Sequence, residues 1–214
     1  MLRKILSAHS KCPSESLYLE LGVIPIKFII VSRRLNFLHY ILKRPEHELL
    51  KRFFDIQSRY PVKHDWVLTI KDDLKLLGFS TDFEEITKVK KRSFAKIVKE
   101  KIRKLSFDYL LKLKNEHSKM SRLSYSCLKV QTYFKNSKIS AKQAKSIFKY
   151  RSHMADVKDN FHSMIMNNDD DLNCPECHNN TDNQEHLLDH IETDIDKSKY
   201  NNIFKEGYHE DKLQ

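Results

Sequence analysis

PIKFIIVSRRLNFLHYILKR (25–44) is the stretch on which the fold class turns. Ile26, Ile29, Ile30, Phe37, Leu38, Ile41 and Leu42 recur at intervals of three and four residues. That is the repeat of one helix face, whereas a half-buried strand alternates every second residue. Pro25 stands where the first helical turn begins, a place that tolerates proline because the N–H it lacks has no intrahelical partner there. Arg33, Arg34, Lys43 and Arg44 are left for the other faces.

The same punctuation extends to both sides. Upstream, the apolar and basic run MLRKILSAHS is followed by SESLYLELG, a short helix closed by Gly22. Downstream, Pro45 starts a helix with Leu49, Leu50, Phe53, Phe54 and Ile56 facing inward, and Pro61 ends it. Residues 65–77 form an amphipathic helix with Trp66, Ile70, Leu74 and Leu77 on one side and Gly78 just past its end. STDFEEIT is a short helix with acids in its first turn. Ser93 caps the longest helix, whose apolar face is Phe94, Ile97, Val98, Ile102, Leu105, Tyr109 and Leu113; Lys101, Lys112 and Lys114 fall among the cations of its other faces. LSYSCLKVQTYF (123–134) alternates only weakly, as an extended segment or loose strand would. Ser140 opens AKQAKSIFKYR, Asp156 caps VKDNFHSMI, NNDDD (167–171) is a loop, and the chain beyond Glu192 is polar and without period. Three glycines and five prolines in 214 residues are too few turn residues for a doubly wound sheet or a sandwich. The expected fold is mainly α: an irregular helical array over 1–165, a small zinc knuckle at 166–196, and a frayed polar tail at 197–214.

Charge divides the chain along the same line. Residues 1–165 hold 35 lysines and arginines against 16 acids, a net +19, and residues 166–214 hold 4 against 13, a net −9. A basic body, in a chain whose overall pI is near 9.3, is the electrostatic footprint of a polyanion partner, RNA or DNA gripped mainly by its phosphates. The four cysteines form no disulfide framework, since Cys12 and Cys127 stand alone. An intracellular, reducing compartment, cytoplasm or nucleus, is expected. Cys12 and Cys127 read as small apolar core residues. GVIPIKFIIV (22–31), the most apolar run, is too short to span a bilayer and contains Lys27, so no membrane partner is expected.

CPECHNNTDNQEHLLDH (174–190) carries the chemistry. Zinc takes four tetrahedral nitrogen and sulfur ligands. Cys174 and Cys177 share a tight turn, and His186 and His190, at i and i+4, fall on one face of a helix. Leu187, Leu188 and Ile191 pack that helix down. His178 is the alternative ligand. The spacing C-x2-C-x8-H-x3-H is too short for a base-reading finger, which needs about twelve residues in the gap. A compact knuckle with Zn2+ as its cofactor is expected. No P-loop, nucleophile elbow or H-E-x-x-H occurs, and four protein ligands close a zinc site to catalysis. Asp72 and Asp73 read as a solvated pair on a helix among lysines. Phosphate contacts are expected from Arg33, Arg34, Lys96, Lys99, Arg103, Lys104 and Arg151. The knuckle has no Lys or Arg between 167 and 196, so it should brace the helix bearing Arg151 and leave phosphate to the body.

Three stretches carry a family resemblance: residues 2–42; HSKMSRLSY (117–125) with the helix before it; and SIFKYRSHM (146–154) followed by CPECHNNTDNQEHLLDH. Together they resemble the region downstream of the reverse transcriptase domain in open reading frame 2 proteins of non-LTR (LINE-type) retrotransposons. Such proteins show an arginine-bearing helix, then C-x-x-C, a short gap, and E-H-L-L with a terminal ligand. That ligand is usually cysteine in the family and is His190 here. The resemblance implies a non-catalytic, zinc-containing segment that holds RNA or target DNA during target-primed reverse transcription, with a reverse transcriptase core as partner. No polymerase Y/F-x-D-D motif is present, so the chain is not expected to be an enzyme on its own. A helical protein-interaction module and a decayed retroelement remnant without selected function are the alternatives.

Overall fold

The computed structural model describes residues 2–10, 12–63, 65–117, 120, 123–155, 157, 172–184 and 186. Its regular elements are helices: α1 (Leu2–Leu6), α2 (Ser14–Glu20), α3 (Ile26–Leu42), α4 (Leu49–Arg59), α5 (Trp66–Leu76), α6 (Phe83–Lys88), α7 (Lys91–Glu116) and α8 (Ala141–Arg151). Extended pairing among the described residues is limited to two isolated antiparallel bridges, Leu21 with Val130 and Asn173 with Thr181. The expected mainly α class is met. Of the helix expected at 157–165 only Val157 is described, without helical structure; the loop at 167–171, residues 187–191 and the polar tail lie outside the described residues.

Local chemistry explains several helix ends. Asp65 accepts from the Leu68 amide and Asp82 from the Glu84 amide, each quenching an unpaired N–H of a first turn. Hydrogen bonds from backbone amides hold the Asp65 carboxyl below its ordinary pKa. Ser140 and Gln143 form a reciprocal capping box that opens α8. Gly78 ends α5 at φ +62°. Gly22, at φ +60°, faces the backbone of Lys129 and Val130 so closely that a Cβ would clash; only glycine lets the Leu21–Val130 bridge form. Two expected starts shift. Ser93 lies inside α7, which begins at Lys91, and Pro45 stands in a turn ahead of α4.

The chain forms two compact units, Ile24–Tyr109 and the pair of segments Met1–Val23 and Leu110–Gln214. The chain crosses between them twice: after Val23, where Gly22 and Pro25 stand on either side, and within α7 after Tyr109, where no proline or glycine announces it.

In the 24–109 unit, Phe28, Val31, Leu35, Leu38 and Ile41 of α3 join Val67, Ile70 and Leu74 of α5 and Phe94, Val98 and Ile102 of α7 in one core. His39, buried there, stacks on Phe94 and bonds the Val89 carbonyl at 2.9 Å. The inward face of α3 is offset from the expected stripe, because Ile26, Ile30 and Phe37 are exposed. Residues 26–31 are apolar nearly all round, so their spacing alone does not select a face. On α4 the expectation fails more fully: Leu49, Leu50, Phe53 and Ile56 are exposed and only Phe54 is buried. Phe54 wedges against Trp66 and Phe83, at ring separations of 6.0 and 5.2 Å. That wedge, not the apolar stripe, docks the helix.

In the other unit, Leu6, Cys12, Leu17, Tyr133, Ala144, Phe148 and Met154 form the core. Cys12 is buried as expected, whereas Cys127 is exposed. Two lysines of α7 also depart from expectation. Lys114 is buried and donates to the Leu123 carbonyl at 2.7 Å. Lys101, in the 24–109 unit, donates to the Leu77 carbonyl at 2.8 Å and lies over the Phe79 ring. No helix among the described residues is long and apolar enough to cross a membrane.

Candidate metal centre and basic helix face

Residues 172–184 bend into a small hairpin. Cys174 N–H donates to the Asn180 carbonyl and Asp182 N–H to the Leu172 carbonyl, both at 2.8 Å, flanking the Asn173–Thr181 bridge. The intervening CPEC turn is closed by His178 N–H on the Cys174 carbonyl at 2.9 Å, with His178 at φ +56°. His186 returns to this loop because its N–H is held by the Asn183 side chain at 2.8 Å.

The result is a donor cluster. The ligand atoms of Cys174, Cys177 and His186 all lie within 4.8 Å of one another, and Cys177 Sγ is 3.2 Å from His186 Nε2. A tetrahedral zinc with ordinary bond lengths sets its ligand atoms about 3.5–3.8 Å apart, so this spacing and this donor chemistry fit a metal. Cys174 and His186 are buried and Cys177 is half-buried, which shields the thiolates a metal would require. His178 is exposed and outside the group. His190 lies outside the described residues. The hairpin is tied to α8 by buried Gln184, whose Nε2 donates to the Tyr150 carbonyl at 2.6 Å.

Arg151 is not a phosphate-facing residue. It is 1% exposed, and its Nε donates to Glu20 at 2.8 Å. Glu20 is itself fully buried and also accepts from Tyr125 and Tyr133 hydroxyls at 2.6 and 2.7 Å. The reason is charge economy: a buried guanidinium survives only beside a buried anion, and α2 supplies it. Burial alone would lower the Arg151 pKa, but Glu20 together with Tyr125 and Tyr133 outweighs it and raises it. Burial, then Glu20, push both tyrosines well above their ordinary pKa. A raised acid contributes stability that is complete below the unfolded pKa, about 10, and is lost as pH rises through the folded value. Stability should therefore fall as pH rises above about 10, and less steeply in Tyr133→Phe; urea unfolding midpoints across that range check this. No sequence signal links Glu20, Tyr125 and Tyr133 to Arg151, because they are brought together only by the fold.

Arg34 is also committed. It makes a bidentate pair with buried Asp73, at 2.7 and 2.8 Å, joining α3 to α5. Asp73 is thus an interior anchor and not a solvated acid. Arg33, Lys96, Lys99, Arg103 and Lys104 are exposed. Arg92, exposed on the first turn of α7, joins them; placing the helix start at Ser93 hides it from a reading of the sequence. Arg92, Lys96, Lys99 and Arg103 step by four, three and four residues, which keeps them within an arc of about 60° along roughly 17 Å of helix. Lys104 lies about 100° round from Arg103.

Comparisons with protein-family models, with curated proteins and with solved structures return no match.

Proposed function

We propose that this chain is a non-catalytic nucleic-acid-holding module, with phosphate contacts on α7 and a zinc-closed knuckle at its C-terminal side. The observation that carries the reading is the cation stripe Arg92, Lys96, Lys99, Arg103, exposed on one helix face. Aligned cations at helical spacing neutralise successive phosphates and release their counterions, a grip that is independent of sequence. Arg33 adds a cation from α3. The resemblance to the post-polymerase region of LINE-type reverse transcriptases agrees with this role, RNA or target DNA held for a polymerase domain. Zinc would cross-link Cys174, Cys177 and His186, with His190 as the fourth ligand, and hold the hairpin closed.

Lys99→Ala with Arg103→Ala should weaken binding of the full chain to RNA and DNA oligonucleotides uniformly across sequences. Lys104→Ala, off the stripe, should do little. Equal losses for Lys104→Ala and the double variant, measured by fluorescence anisotropy, would remove the stripe from the interface.

A further inference from the structure

The outward face of α4 is apolar without serving the core. Leu49, Phe53, Ile56 and Tyr60 are 69, 58, 55 and 75% exposed. They step by four, three and four residues, so they form a straight seam on one side of the helix and its C-cap. This is the narrow stripe of a coiled-coil surface and not the broad face with which a helix meets its own core. On one edge the seam is bordered by Arg52 and Arg59, both exposed, and on the other by Leu50 and Gln57. The helix's own acid, Asp55, is already paired with Lys51 at 2.6 Å on the far side.

We propose that this seam docks an amphipathic helix of a partner protein, one with apolar residues at three-four spacing and carboxylates along the edge that meets Arg52 and Arg59. Charge decides the occupant. In a coiled pair, each seam-edge residue faces the edge of the other helix. Two copies of α4 packed antiparallel would set these arginines against each other. Packed parallel, the arginines would face Leu50 and Gln57. Neither orientation supplies a carboxylate, so a second copy of this chain is a poor occupant. An acidic-edged helix buries the seam and pairs both arginines at once. The inference is independent of the nucleic-acid reading, since it uses neither the α7 stripe nor the hairpin.

The test uses the full chain and two synthetic three-heptad helices, with leucine at the seam positions and either glutamate or lysine along both edges. Anisotropy should show the glutamate helix bound on the order of tenfold more tightly than the lysine helix. Phe53→Asn with Ile56→Asn, which keeps the net charge, should abolish that binding; both side chains are exposed, so folding checked by circular dichroism should be unchanged. Arg52→Glu with Arg59→Glu should reverse the preference toward the lysine helix. Equal binding of the two helices, or retained binding in the Phe53/Ile56 variant, overturns the proposal. So does a concentration-dependent dimer that Ile56→Asn abolishes, which would assign the seam to a second copy. Binding to phosphatidylserine–phosphatidylcholine vesicles lost in the same variant would assign it to lipid and overturn it too.

Discussion

Glu20→Ala should destabilise the protein by about 3–5 kcal/mol. Glu20 is fully buried and accepts from Arg151, Tyr125 and Tyr133. Its removal takes the Glu20 carboxylate away from the buried Arg151 guanidinium and from two tyrosine hydroxyls, each loss an unfavourable burial of a polar group. The donors come from α8 and from residues 125–133, so one carboxylate on α2 holds two stretches that each lie more than a hundred positions away. A loss of that size is a large part of the roughly 5–15 kcal/mol that holds an ordinary domain. Arg151→Met should cost less than Arg151→Ala, because the methionine refills the volume with apolar atoms. The joint variant Glu20→Gln, Arg151→Met should cost less than the sum of the single changes, because each single change strands a partner. Urea unfolding followed by circular dichroism measures all of them. A Glu20→Ala protein within about 1 kcal/mol of the parent would show that the cluster is incidental.

The second large effect is on metal content. The purified chain should carry one zinc, and Cys174→Ser and His186→Ala should each lose most of it. Structural zinc sites release apparent binding energies of about 10–16 kcal/mol near neutral pH, so loss of one buried thiolate should show directly in elemental analysis. Because the core formed with α1, α2 and α8 contains no residue of the hairpin, and the hairpin touches α8 through Gln184, chelation should open the hairpin while the helical signal persists. Zinc content equal in the parent and in Cys174→Ser would contradict the ligand assignment.

Helix type and several helix ends were legible in the sequence because they depend on neighbours a few residues apart: Asp65, Ser140 and Gly78 act locally. The three-donor cluster was legible for the same reason, as Cys174, Cys177 and His186 lie within thirteen residues of chain. What was illegible depends on distant partners. The sequence marks α4 as amphipathic but not which way its apolar face points, because that is decided by how Phe54 meets Trp66 and Phe83. Arg34, Lys114 and Arg151 look like surface cations until Asp73, the Leu123 carbonyl and Glu20 are placed beside them. The cation stripe lay between these cases: its spacing was readable, but one residue of it depended on where α7 begins.

The salt dependence of nucleic-acid binding tests the central claim most directly. Each phosphate contact contributes a slope of about 0.9 in log K against log salt for duplex, or about 0.7 for a single strand. Changing Arg92, Lys96, Lys99 and Arg103 together to alanine should therefore lower the slope of the full chain by about 3.6 on duplex or about 2.8 on a single strand, with the loss equal across sequences. A four-alanine variant that is folded and keeps the parental slope would contradict the account, because the grip on phosphate would then lie elsewhere on the chain.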